Sequence, residues 1–307
     1  MKFRQFGKTT LKTSEIGIGC WAIGGNQFGN SYGPTDDSVS IRTIKKAVEL
    51  GCTFFDTADV YGHGHSEWLL GMALKKIRKD VLIATKVGGS YIYGGEWEHS
   101  NFSEKYIRFA LEKSLERLQT DYIDIYQLHN PPIDLIQKAE MFSILKDLKK
   151  EGKIRAIGIS IHTLEEGEAA LKYVDTLQCV FNMLYPNNYE IIEAARINKV
   201  GVIAREPLCN GFLTENFSTK IDFGKGDIRN VMPKNYIENL KTHAKNIRDS
   251  LKKRRETLAQ LAIKYALSMK SVSVVIPGAK TPEQVEENLK ASDIPELTDE
   301  DLEVLGG

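Results

Sequence analysis

"FFDTADVYGHGHSE", residues 54–67, opens as a buried strand and ends in polar groups and glycines. Asp56 comes straight out of an apolar run, and a carboxylate buried without a partner costs roughly several kcal/mol, so a cation must be brought to it from elsewhere in the chain. Tyr61 follows in the glycine-rich loop. A strand that ends on an ionisable residue and hands over to a polar loop is what the mouth of a parallel α/β barrel requires, because chemistry there sits at the C-terminal ends of strands.

Outward from this stretch, short β-rich runs alternate with amphipathic helical patterns. Strands are expected near 15–21, 53–58, 81–87, 122–129, 154–160, 176–182, 201–206 and 272–277, and helices near 38–50, 65–77, 103–119, 137–151, 164–173, 188–198, 257–268 and 281–291. Ser103 and Thr281 read as helix caps, the latter followed by Pro282 at the favoured first position. Eight strands, each followed by a helix, close as a (β/α)8 TIM barrel of about 250 residues. The remainder falls in an N-terminal β-hairpin that plugs the barrel bottom, a long insertion at about 208–256 after strand 7, and a C-terminal tail. The whole of 1–307 reads as one barrel domain; an open doubly wound sheet would need a topological switch point that the pattern does not offer.

Lys+Arg and Asp+Glu are both 41, giving zero formal net charge. This balance points away from nucleic acid and membrane surfaces and toward a small-molecule partner, with the oligomeric state left open. Cys20, Cys52, Cys179 and Cys209 are widely spaced, as in reduced cytoplasmic proteins, and no stretch approaches a membrane span. Three local matches are set aside. Gly17–Ala22 fits G-x-G-x-x-A but runs into a loop instead of a helix. His63 and His65 lack a third ligand at metal spacing and read as a solvated loop. "LKKRRE", 251–256, reads as the solvated basic face of a helix.

Placed on barrel strands, four residues converge at the mouth: Asp56 ends strand 2, Tyr61 lies just beyond it, Lys86 closes strand 3 and His129 closes strand 4. Lys86 is the cation that Asp56 needs. The set suits proton donation to a carbonyl oxygen as hydride reaches the carbon. A phenol of pKa near 10 is a poor match to neutral pH; one positive charge at about 4 Å is worth about 4 kcal/mol at an effective dielectric near 20, enough to lower Tyr61 toward neutrality. His129 would donate a hydrogen bond to the substrate oxygen.

The segments "FFDTADVYGHGHSEWLLG", "IATKVG", "YQLHNP", "GISIHT", "QCVFNML" and "VIPGAKTPEQVEENL" together resemble the aldo-keto reductase family, in a bacterial-type branch, over nearly the whole chain. The resemblance implies Asp56, Tyr61, Lys86 and His129 as the catalytic tetrad and NADPH or NADP as cofactor, bound extended across the barrel mouth, with NADH as the alternative. It also implies cofactor contacts from Trp21, Ser160, Gln178 and Arg205. Pro207, Leu208, Asn210, Gly211 and Leu213 would clasp the pyrophosphate, and Gly278, Lys280, Gln284, Glu287 and Asn288 would take the adenosine end. Trp21, Tyr93 and Trp97 would line the substrate cup. The implied activity is reversible reduction of aldehydes and ketones. Two other readings are a polyol or sugar dehydrogenase working oxidatively and a non-catalytic NADP(H)-binding redox sensor on the same fold. A stacking Tyr of the best-known branch is replaced by Arg205, whose guanidinium can lie on a ring. Only Lys280 remains as an obvious cation for a 2′-phosphate.

Overall fold

The computed structural model describes residues 1–26, 31–89, 91–93, 96–215 and 223–305; the side chains of 91–98 and 304 lie outside that description. Eight parallel strands form the central sheet: β1 (Ile18–Gly19), β2 (Phe54–Asp56), β3 (Leu82–Val87), β4 (Ile123–His129), β5 (Ile154–Ser160), β6 (Thr176–Val180), β7 (Gly201–Arg205) and β8 (Val272–Ile276). Each pairs with the next in chain order. The first and last meet through parallel bridges Ile16↔Val275 and Gly19↔Gly278, with Gly17 N–H donating to Val275 O at 2.8 Å and Gly19 N–H to Pro277 O at 3.0 Å. The sheet is therefore closed into a (β/α)8 barrel.

Side chains alternate across a strand, so one residue of each pair enters the barrel and the next faces the helices. The inward residues of the lower layers are apolar: Phe54, Leu82, Ala84, Ile125, Ala156, Ile203 and Val274 form one buried cluster. Their outward neighbours Phe55, Ile83, Tyr126, Ile157, Ala204 and Val275 join the larger cluster under the helices. The N-terminal hairpin, Phe3–Gln5 paired antiparallel with Lys12–Ser14, caps the lower end. Phe6 and Leu11 belong to the inner cluster, and the Phe6 ring lies 5.4 Å from that of Phe54. The hairpin is thus the floor of the barrel.

Helices fall where the apolar periodicity places them, with four differences. The 65–77 pattern gives α-helix only over His65–Leu74, and Lys75–Asp80 tightens into a 3-10 helix. The helix expected over 137–151 runs only over Glu140–Lys150, and a separate helix, Ile133–Lys138, precedes it across a break at Ala139 with φ 62°. The insertion holds a helix not anticipated from the sequence, Lys234–Ser250, whose Ile237, Leu240 and Ala244 are buried. It ends before the basic cluster at 251–256, which is not helical. There Arg254 is no solvated charge: it pairs with Glu256 at 2.8 Å and with Asp301 at 3.0 Å in the short helix Asp299–Val304. The caps Ser103 and Thr281 each accept a backbone N–H, from Tyr106 and Gln284.

Phe6 has no exposed surface and seals the inner cluster. Phe6→Ala is expected to lower unfolding stability by about 3–5 kcal/mol in urea titrations, the usual cost of emptying an aromatic site in a core.

Candidate active site

The alternation that makes the lower layers apolar carries on up each strand. Two residues above Phe54 stands Asp56; above Leu82 and Ala84, Lys86; above Ile125, Gln127 and then His129; above Ala156 and Gly158, Ser160. Gln178 and Arg205 occupy the inward places on β6 and β7. The upper layers of the barrel are consequently polar, and register sets the neighbours: Lys86 lies opposite Gln127, and His129 opposite Ser160.

Lys86 and Asp56 are each 1% exposed and form a direct ion pair. Lys86 Nζ also donates to Thr57 O at 2.8 Å and to Tyr61 Oη at 3.1 Å. The second carboxylate oxygen of Asp56 accepts from Gln127 Nε2 at 3.0 Å and Gln178 Nε2 at 2.8 Å, and Gln178 Nε2 also approaches Gln127 Oε1 at 3.1 Å. A buried ion pair is tolerable only when its remaining hydrogen-bonding capacity is met, and the two glutamines and a carbonyl do this. Gln127 was not anticipated as a site residue. The signal was available: an amide two residues before His129 in a buried strand must enter the barrel. Gly158 makes room for it, since a Cβ there would stand 2.6 Å from Gln127 Cγ.

Tyr61 brings its ring 6.0 Å from the His129 imidazole, edge-on, and 6.4 Å from Trp21. Lys86 Nζ lies 4.6 Å from the centre of the same ring. Gly89 passes so close to His129 that a Cβ would meet Nδ1 at 2.7 Å.

The electrostatics differ from the sequence expectation in one respect. Burial pushes the Tyr61 phenol above its usual range; Lys86 pulls it down and Asp56 pushes it up again. The nearby ammonium does not bring it toward neutrality, because Asp56 offsets much of that charge and the phenolate would be desolvated. Tyr61 is therefore held as a protonated donor. Lys86 is raised: burial opposes its charge, but Asp56 and Tyr61 outweigh it. His129 is pushed well below its usual range by burial and by Lys86, Arg205 and His162, so its imidazole is neutral.

Several polar atoms at the mouth are buried without a hydrogen-bond partner among the described residues: His129 Nδ1, Gln178 Oε1, Arg205 Nε and Asn130 Oδ1. Arg205 otherwise pairs with Glu206 and approaches Ile161 O and His162 Nδ1, both at 3.3 Å. A donor and an acceptor left open on adjacent strands suit a carboxamide, which offers both functions. This is the fit expected of the nicotinamide end of the implied cofactor.

The residues that the resemblance assigns to the rest of that cofactor are largely engaged with the protein itself. Pro207, Leu208, Gly211 and Leu213 follow β7 around a 3-10 turn, Cys209–Gly211. Asn210 Oδ1 accepts from Tyr32 Oη at 2.6 Å, and its carbonyl accepts from Arg229 at 3.1 Å. Tyr32 packs edge-on against Trp21 at 4.9 Å, tying the loop after β1 to the one after β7. Lys280 Nζ donates to the carbonyls of Tyr32 and Pro34 at 2.8 and 3.1 Å. Gln284 Oε1 accepts from the Lys280 N–H at 2.7 Å, and Asn288 Nδ2 donates to Gly278 O at 3.3 Å. Glu287 is half-buried, its carbonyl accepting from Gln260 at 3.4 Å. Tyr93 and Trp97 sit on the antiparallel strands Tyr91–Tyr93 and Glu96–Glu98; their side chains lie outside the described residues. His65 is no solvated loop residue: Nδ1 contacts Gly24 O at 2.9 Å, Nε2 pairs with Asp37 at 3.1 Å, and the ring stacks on Trp68.

Comparison with known proteins places this arrangement in context. Residues 15–305 match the model of the Aldo/keto reductase family. The chain is 35% identical to the aldo-keto reductase YhdN of Bacillus subtilis (strain 168), over 93% of this chain and 87% of that one. It is 32% identical to the NADH-specific methylglyoxal reductase of Escherichia coli (strain K12), over 99% and 97%. The solved glycerol dehydrogenase AKR11B4 from Gluconobacter oxydans superposes with a TM-score of 0.84 at 28% identity, over 99% and 94%.

Removing one member of a buried ion pair strands the other. Lys86→Met is expected to cost about 3–5 kcal/mol of unfolding stability at pH 7, and adding Asp56→Asn to recover part of it. A proton NMR titration of His129 should place its midpoint below the ordinary histidine value of about 6.5.

Proposed function

The chain belongs to the aldo/keto reductase family and is an oxidoreductase acting on carbonyl or alcohol groups, and from that premise we propose that it reduces aldehydes or ketones reversibly, with NADPH as cofactor and Tyr61 as the general acid. The observation that carries this reading is the Asp56–Lys86–Tyr61 chain beside a neutral His129.

When bound, the dihydronicotinamide supplies hydride to the carbonyl carbon. Everything else falls to the protein. As negative charge builds on the carbonyl oxygen, the protonated Tyr61 hydroxyl donates to it. Lys86, held charged by Asp56, stabilises the phenolate that remains. In its neutral form His129 can donate one ring N–H to the same oxygen, adding directional stabilisation without taking the proton. Gln127 and Gln178 act one step back, holding Asp56 so that it neither rotates away nor needs water. In the oxidative direction the same atoms run in reverse, and Tyr61 receives the alcohol proton through the same contact.

Open hydrogen-bonding atoms on Gln178 and Arg205 support a nicotinamide seat. Preference for NADPH over NADH would rest on Lys280, whose ammonium must exchange the Tyr32 and Pro34 carbonyls for a 2′-phosphate. That exchange makes the preference modest. The oxidative reading is favoured for polyols by the likeness to a glycerol dehydrogenase, and assays should run in both directions.

Tyr61→Phe should reduce kcat by about 10²–10⁴-fold with cofactor binding, followed by fluorescence, nearly unchanged. Retained turnover would remove Tyr61 as the acid. Lys280→Ala should weaken NADPH binding and leave NADH binding unaltered in the same titration; equal losses would remove the 2′-phosphate role.

A further inference from the structure

The two glutamines below the barrel mouth come from strands that are not neighbours. Gln127 lies on β4 opposite Gly158 of β5, and Gln178 lies on β6 opposite Ser160 of that same strand. Between them, at the level of Gln127, β5 offers only Gly158, where a Cβ would stand 2.6 Å from Gln127 Cγ and 2.8 Å from Thr176 Oγ1. With no side chain in the way, the two amides meet across β5, and Gln178 Nε2 donates to Gln127 Oε1 at 3.1 Å.

Donors and acceptors leave Gln178 one end for a ligand. Asp56 Oδ2, in the carboxylate paired with Lys86, can only accept, so both amides turn their nitrogens to it, Gln127 at 3.0 Å and Gln178 at 2.8 Å. With its nitrogen spent on Asp56, Gln127 shows its oxygen to Gln178. An amide nitrogen carries two hydrogens. Asp56 alone would use one of those on Gln178 and leave the other for a ligand; Gln127 takes the second. Gln178 Oε1, which has no partner among the described residues, is the function that remains.

We infer that Gln127 is a positioning residue for cofactor selection: by consuming the second N–H of Gln178 it makes Gln178 an acceptor only, so that the mouth takes a ring substituent bearing N–H and rejects one that can only accept. This role rests on the nicotinamide reading of the mouth, and adds to it the direction of one hydrogen bond and the residue that sets it. Against a substituent that only accepts, Gln178 would set oxygen toward oxygen, and both would be desolvated without compensation. Without Gln127 the freed N–H can turn to such a substituent, and the discrimination falls.

Calorimetric titration of the full chain with NADP and with its 3-acetylpyridine analogue, in which a methyl ketone replaces the carboxamide, tests this. The wild-type protein should bind NADP at least about tenfold more tightly than the analogue. Gln127→Met, close in length but unable to accept from Gln178 as an amide oxygen does, should bring the two within about threefold of each other. Gly158→Ala keeps Gln127 and sets a methyl where the amides meet; it should lower the ratio in the same direction, and reads the same contact if the Met variant does not fold. Thermal midpoints report folding. A purely structural Gln127 would weaken both dinucleotides alike and leave the ratio unchanged. A wild-type ratio near one, or an unchanged ratio in a folded variant, would overturn the assignment and leave the proposed reaction standing. Failure of both dinucleotides to bind would remove the proposed cofactor and this role together.

Discussion

An ammonium and a carboxylate, each almost wholly removed from water, meet near the top of a closed barrel. Charges buried this deeply cost several kcal/mol apiece unless geometry and hydrogen bonding compensate. Compensation here spans four strands. Asp56 comes from β2, Lys86 from β3, Gln127 from β4 and Gln178 from β6, with the Thr57 carbonyl completing the ammonium. Shifting any of these strands by one residue would turn its polar side chain out toward the helices and leave the pair unsupported. The ion pair therefore constrains barrel register as much as the barrel positions the ion pair.

The molecule separates the work of stability from the work of chemistry along the barrel axis. The hairpin floor and the apolar inner layers supply burial, and nothing titratable belongs to that cluster. Above them the inward positions become Asp, Lys, Gln, His, Ser and Arg within one or two residues of the ends of β2 to β7. Such a polar layer stabilises nothing by area burial. It persists because the layers below fix the strands and because its members satisfy one another, apart from the few atoms left open at the mouth. Those open atoms are where binding free energy remains to be gained.

Tyr61 illustrates how neighbours change an argument made from one pair. A single cation beside a phenol should acidify it, and the sequence reading expects that. In the folded protein the cation comes with its own counter-ion, and the phenol is buried as well, so the phenol is raised. The outcome suits donation: the hydroxyl keeps its proton until negative charge develops beside it, and the ammonium then has a phenolate to stabilise. Because the assistance is greatest when the charge appears, it favours the transition state over the ground state.

Much of this was legible from residue order. All eight strands, the hairpin floor and most helices follow from period and punctuation, because strands buried on both faces and helices with one apolar face leave distinct marks. Asp56, Lys86 and His129 stand at strand ends where parity sends them inward, and the same rule reaches Gln127. The helix Lys234–Ser250 was obscured by the charged residues that surround its narrow buried stripe, and the break at Ala139 leaves no mark in an uninterrupted amphipathic pattern. Only tertiary structure decided which polar groups end up satisfied: that Arg254 meets Asp301, and that Lys280 is occupied by two carbonyls. Strand parity is a local property carried by consecutive residues, whereas the pairing of charges depends on segments far apart in the chain and on the solvent they exclude.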